Sequence, residues 1–212
     1  MNRRILFFLA ILSATTLVGQ IQAPPIYGSP AKWHVRFYPV ALVTGVKAEV
    51  GHQFTNGYEL NVQGKYIYQG FFWYRTYKAQ LPTVFFKPAD GYRIMVSYEK
   101  RGGKHDLFAI GPKVGYEFIS SDRFDVSNTS MSPGQAETIQ MDRDRYVVAC
   151  IGRFRSRQDG FYIEFSAELG LSYNETTTRR VFVNVDYIDH SQTWASYVMP
   201  HALIGFAIGF GY

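Results

Sequence analysis

A single cysteine, Cys150, occurs in the 212 residues, so no internal disulfide can form and a disulfide-stapled secreted domain is excluded. After the first dozen residues there is no continuous apolar run of about 20 residues, the length a helix needs to cross a bilayer. Any membrane span must therefore be made of strands. A strong charge of one sign is missing as well. Without Arg3 and Arg4, 20 basic residues face 17 acidic ones, too mild an excess to point to nucleic acid. Repeats, low-complexity tracts and nucleophile-elbow spacings are absent. What is plentiful is aromatic residue, at 17%, and glycine, at 19 copies, both suited to closely packed sheet and tight turns.

Residues 161–173 alternate without a break. Phe161, Ile163, Phe165, Ala167, Leu169, Leu171 and Tyr173 form one set; Tyr162, Glu164, Ser166, Glu168, Gly170 and Ser172 form the other. A period of two means a strand with one apolar and one polar face. The run exceeds the roughly 9 to 11 residues that a tilted strand needs to span a membrane. At the N-terminus, Arg3 and Arg4 precede an apolar stretch over 5–12 and then small and polar residues, the layout of an export signal. The expectation is a signal over 1–23, cleaved between 19 and 23, followed by one domain over 24–212.

Polar, Gly-containing connections at 55–57, 101–106 and 155–160 read as hairpin turns, and they alternate with long segments at 70–90, 119–144 and 174–199. Strands are expected at 45–54, 58–69, 91–100, 107–118, 145–154, 161–173 and 200–212, with an earlier one at 33–38. Eight such strands give an all-β, closed, antiparallel, up-and-down transmembrane barrel with short periplasmic turns and long extracellular loops. Strand-like Val181, Val183, Val185 and Tyr187 leave a ten-stranded barrel as the alternative.

Three features orient the faces. The apolar set ends in aromatics near the turns, at Phe54, Tyr58, Tyr98, Phe108, Phe154, Phe161 and Tyr212, and Tyr173 stands among others at the opposite ends. Two such rows suit the two lipid interfaces. Glycines concentrate on the polar face, where a crowded interior needs missing side chains. The polar face is also charge-balanced. Arg36, Lys47, Lys65, Arg93, Lys113 and Arg153 oppose Glu49, Glu59, Glu99, Glu117, Glu164 and Glu168, which suits an interior ion network. Pro112 interrupts a regular strand and predicts a bulge or a different register there.

The last strand alternates Ile204, Phe206, Ile208, Phe210 and Tyr212 with Gly205, Ala207, Gly209 and Gly211. Over residues 33–212 the chain resembles the small eight-stranded outer-membrane barrels of the OmpA and OmpX type. That resemblance implies a bacterial outer-membrane location, with outer-membrane lipid and lipopolysaccharide as surroundings and no cofactor. It also implies barrel-assembly machinery and periplasmic chaperones as partners during biogenesis, with Phe206, Ile208, Phe210 and Tyr212 as the assembly signal.

Catalytic candidates are few. Glu164 and Glu168 share a face but lack a substrate pocket in a barrel filled by side chains. His190, Ser191, Asp186 and Asp189 cluster in an outward segment and would serve a lipid-modifying or proteolytic barrel, but without a diagnostic spacing; a lone histidine among aspartates is equally a weak metal signal. Arg75, Lys78 and Lys87 lie among aromatics and are placed to meet lipopolysaccharide phosphates. The expected function is a non-enzymatic membrane-anchored scaffold presenting surface loops, with an enzyme around His190 and a small passive pore as alternatives. No catalytic residue, metal ligand or nucleic-acid contact is assigned.

Overall fold

The computed structural model describes residues 32–76, 83–102, 107–125, 136–158, 161–184 and 188–211, with backbone alone for 69–76, 83–88, 124, 157 and 158. The export signal expected over 1–23, Tyr212 and Lys78 lie outside the described residues, as do the side chains of Arg75 and Lys87.

Among the described residues nine strands form: β1 (Lys32–Phe37), β2 (Gly45–Gln53), β3 (Tyr58–Thr76), β4 (Thr83–Gly102), β5 (Phe108–Ser121), β6 (Phe124–Asp125), β7 (Ala136–Gln158), β8 (Phe161–Val183) and β9 (Ile188–Phe210). All pairings are antiparallel. β5 pairs with β7 and β1 with β9, so eight strands close into an up-and-down ring. The two-residue β6 resumes the course of β5 along β7 after a break at Asp122 and Arg123. The ring has eight strands and not ten, because Val181 and Val183 continue β8. Pairing from Arg36 through Glu49, Gln63, Met95, Gly115, Val147 and Ser172 arrives at Met199, whereas Arg36 itself pairs with Gly209 across the closing seam. That offset of ten residues is the shear that tilts the strands and sets the barrel's width.

The segments read as long loops are mostly strand. β3 and β4 pair out to Thr76 and Thr83, β7 and β8 to Ala136 and Val183, and β8 and β9 to Val183 and Ile188. β1 and β2 stop far lower, joined by a 3-10 helix over Pro39–Val43. Pro39 has no N–H to donate, and the β1–β9 ladder ends two residues before it, at Phe37↔Ile208. The wall is thus tall around most of the ring and low at β1 and β2.

The bulge expected at Pro112 is absent, and so is a changed register. Pro112 pairs with Cys150 in an unbroken β5–β7 ladder, while on the β4 side pairing lapses between Ser97↔Lys113 and Lys100↔Ile110 and resumes in the same register. Losing pairs on one flank accommodates the missing donor without an extra residue. The register shift that does occur lies between Ile67 and Gly70 of β3, above the regular part of the ring. Gly57, with φ of 80°, makes the left-handed turn between β2 and β3.

The glycines follow the faces. On the inward side a Cβ at Gly111 would overlap the Tyr98 carbonyl oxygen, and one at Gly170 the Val148 carbonyl oxygen; at outward Gly64 and Gly152 it would meet nothing. Steric demand from neighbouring strands therefore fixes the inward glycines.

Candidate functional site

Strand parity sends the two chemistries to opposite sides. Phe165, Leu169 and Ile204 are 54%, 67% and 87% exposed on the outer wall, whereas Glu164 and Glu168 are 1% and 3% exposed inside. Aromatic side chains border the apolar belt. At its lower edge Phe108 lies 5.3 Å from Phe154, Phe165 lies 5.3 Å from Phe206, and Tyr58 stacks on Tyr98 at 5.1 Å. Phe161, four residues nearer the turn than Phe165, pairs with Phe210, and His52 sits between Trp33 and Phe54 in the same band. The upper edge is a file of tyrosines across four strands, Tyr92, Tyr116, Tyr146 and Tyr173, with successive ring centroids 6.0, 5.3 and 6.3 Å apart. Phe161 and Tyr173 are 12 residues apart on β8. At roughly 3.3 Å per residue and a tilt of roughly 40°, that is about 30 Å along the barrel axis.

Inside, the lower half is closed by four arginines and four glutamates. Glu59 is bound by Arg36, by Arg101 Nε at 2.5 Å, by Arg155 Nη1 at 2.9 Å and by His34 Nε2 at 3.0 Å. Glu164 accepts from Arg153 Nη1 and Arg155 Nε, both at 2.5 Å, and lies 3.1 Å from Arg36 Nε. Arg153 also reaches Glu49 at 2.9 Å and Glu99 at 2.7 Å, and Tyr38 donates its hydroxyl to Glu49 at 2.8 Å. None of these ten side chains belongs to a residue more than 4% exposed. Low dielectric and matched charge make this a stiff plug in which each ion depends on the others.

Above the plug, Glu168 accepts from Lys113 Nζ at 2.7 Å, and His201 Nε2 stands 3.3 Å from its other oxygen. Arg145 Nη2 lies 3.0 Å from His201 Nδ1; a guanidinium only donates, so Nδ1 is the acceptor and the ring proton sits on Nε2. Lys47 Nζ rests 3.7 Å from the centre of the Tyr38 ring. Higher still, one line of paired residues runs Lys47, Lys65, Arg93, Glu117, Arg145. Glu117 is shared by Arg93, whose Nε is 2.6 Å away, by Arg143 at 3.3 Å and by Arg145 at 3.8 Å.

The structure thus places the twelve charged residues assigned to the interior on inward register positions, but the six-to-six balance does not hold there. Arg101, Arg143, Arg145 and Arg155 point inward too. Arg101 and Arg155 sit in segments read as turns; they are the last inward positions of β4 and β7, and their long stems carry the guanidinium up into the plug. The alternation that marked Glu164 would have found them, as well as His34 and His201. Arg101 and Arg155 complete the balanced lower plug, so the net excess of cations lies above it.

His190 lies exposed on β9 opposite Val181. Its neighbours Asp189 and Ser191 project to the other side of the strand, which separates them from the imidazole; Asp186 is outside the described residues. Among the described residues no group of three metal-ligating side chains occurs. Phe206 and Ile208 are half-buried and Phe210 exposed in β9.

No protein-family model matches the chain, and no curated protein does. Among solved structures it is similar to a major outer membrane protein from Thermus thermophilus, at 13% identity and a TM-score of 0.45, over 87% of this chain and 100% of that one.

Proposed function

We propose that this chain is an integral outer-membrane barrel acting as a rigid, non-enzymatic scaffold, holding its tall outer rim at the cell surface for envelope integrity or surface interaction. The observation that carries this reading is the inverted distribution of side chains: ionic within, apolar without, with aromatic rows about one bilayer core apart. A barrel in water would need the reverse. Lipid and lipopolysaccharide are its surroundings, and Phe206, Ile208 and Phe210 offer the assembly machinery an outward aromatic strand.

The plug argues against the pore alternative, because the lower lumen is filled by paired charges. Purified protein in planar bilayers is expected to give no steady conductance, and a stable open level would contradict the reading. The separation of His190 from its sequence neighbours argues against a catalytic dyad. Fractionation with the outer membrane and heat-modifiable gel mobility are expected. Hydrolysis or transfer of lipid acyl chains, abolished by His190→Ala, would overturn the non-enzymatic reading.

A further inference from the structure

We propose that the row of interior cations above the plug is a binding site for a phosphate group, entered beside the low wall at β1 and β2. Lys47 stands directly opposite Lys65, and Lys65 directly opposite Arg93. Like charges facing one another across neighbouring strands are destabilising, and more so where water is partly excluded. Within that paired row Glu117 is the one carboxylate. Glu117 already serves three arginines, whose guanidiniums carry five donors each, far more than two carboxylate oxygens can accept.

The other acids nearby are engaged or turned away. Glu168 is held by Lys113 and His201. Asp142 and Asp144 occupy outward positions, where Arg179 and Tyr116 bind them. Residues 69–89, which include the upper parts of β3 and β4, contain no Asp or Glu, and neither do residues 126–135. Among the described residues Lys47 and Lys65 have no ion-pair partner; Lys65 Nζ donates instead to Thr44 Oγ1 at 2.7 Å. The lower plug, four against four, shows that this sequence balances interior charge where nothing enters.

Access separates the two layers. Lys65, Arg93, Arg143 and Arg145 are all partly exposed, whereas every member of the plug is buried. The wall is lowest beside them: Thr44, which holds Lys65, ends the 3-10 helix that replaces the upper part of β1. The row lies level with the tyrosine file, since Arg93 and Arg145 are sequence neighbours of Tyr92 and Tyr146. Directly above the row the inward positions are taken by a buried apolar cluster, Ile67, Ala89, Ile119, Ile139 and Met141, so a group arrives over the low wall, from the lipid-headgroup layer or the water beside it. Planar guanidinium forks combined with lysine point charges match a multiply charged tetrahedral oxyanion better than a single carboxylate. The proposal does not depend on the scaffold role, only on the barrel.

The test is calorimetric titration of the whole protein, in zwitterionic micelles at low salt, with inorganic pyrophosphate as probe. Binding is expected, and Lys65→Gln and Arg145→Gln should each weaken it about tenfold, as loss of a hydrogen bond to a charged group does. Glu117→Gln removes the competing carboxylate and should tighten binding about threefold or more, an effect that a purely structural role would not produce. Heat-modifiable mobility confirms that each variant is folded; should Arg145→Gln fail this check, Lys65→Gln at the rim remains decisive. Repeating the titration in phosphatidylcholine bilayers with and without phosphatidylglycerol distinguishes the sources. Competition by the anionic lipid assigns the site to headgroup phosphates, and unchanged affinity assigns it to a soluble phosphate. No binding by the wild type at millimolar pyrophosphate, undiminished affinity in folded Lys65→Gln, or weaker binding in Glu117→Gln would each overturn the proposal.

Discussion

Glu164→Ala is expected to destabilise the barrel by about 3–5 kcal/mol, the usual result of breaking a buried ion pair from one side. The carboxylate is the meeting point of Arg36, Arg153 and Arg155, and its side chain is 0% exposed. Without it three guanidiniums face one another with no water to separate them and no room to turn away, since Glu49 and Glu59 fix their other donors. Glu164→Gln should lose less, because its amide oxygen still accepts one hydrogen bond. Reversible urea unfolding in lipid vesicles measures both. A change near zero for the alanine variant would mean that the position is hydrated, which the plug does not permit.

Leu169→Arg is expected to cost about 2–4 kcal/mol in the same assay, the penalty for a cation on the lipid face near the bilayer centre. Leu169 lies eight residues from Phe161 and four from Tyr173, within the belt between the aromatic rows, and projects outward. Thr177→Arg, on the same outward register but four residues above Tyr173, should change stability by no more than about 0.5 kcal/mol. If the two variants behaved alike, the belt between the tyrosines and the lower phenylalanines would not be the part in contact with lipid.

Strand parity is legible in the sequence because lipid and a packed interior impose opposite chemistry on successive residues. That contrast puts Arg36, Glu49, Glu59 and Glu164 on one face and Phe165 and Leu169 on the other. Where both faces meet water it disappears. Residues 174–180 of β8, Asn-Glu-Thr-Thr-Thr-Arg-Arg, show no apolar period, so the strand's upper third reads as loop although its pairing with β7 and β9 is unbroken. Turn chemistry misleads in a different way: the polar connections expected at 101–106 and 155–160 fall where β4 gives way to β5 and β7 to β8, yet say nothing about whether Arg101 and Arg155 reach inward. Pro112 suggests a bulge only if a proline's missing donor needs an inserted residue, whereas dropping pairs on the β4 side suffices. The cation excess is only partly legible: Arg145, at a strand end, upsets the six-to-six tally if it points inward, as it does, whereas Arg143 falls within a segment that reads as loop.

The most direct measurement uses spin labels on single cysteines placed one at a time from 163 to 171 of β8, in a background where the outward Cys150 is replaced by serine, with the protein in lipid bilayers. Labels at 163, 165, 167, 169 and 171 should be relaxed by oxygen dissolved in lipid and shielded from a water-soluble nickel complex. Those at 164, 166 and 168 should be immobilised and reached by neither. A reversed alternation, with 165 and 169 immobilised inside and 164 and 168 open to nickel, would contradict an ionic interior wrapped by lipid.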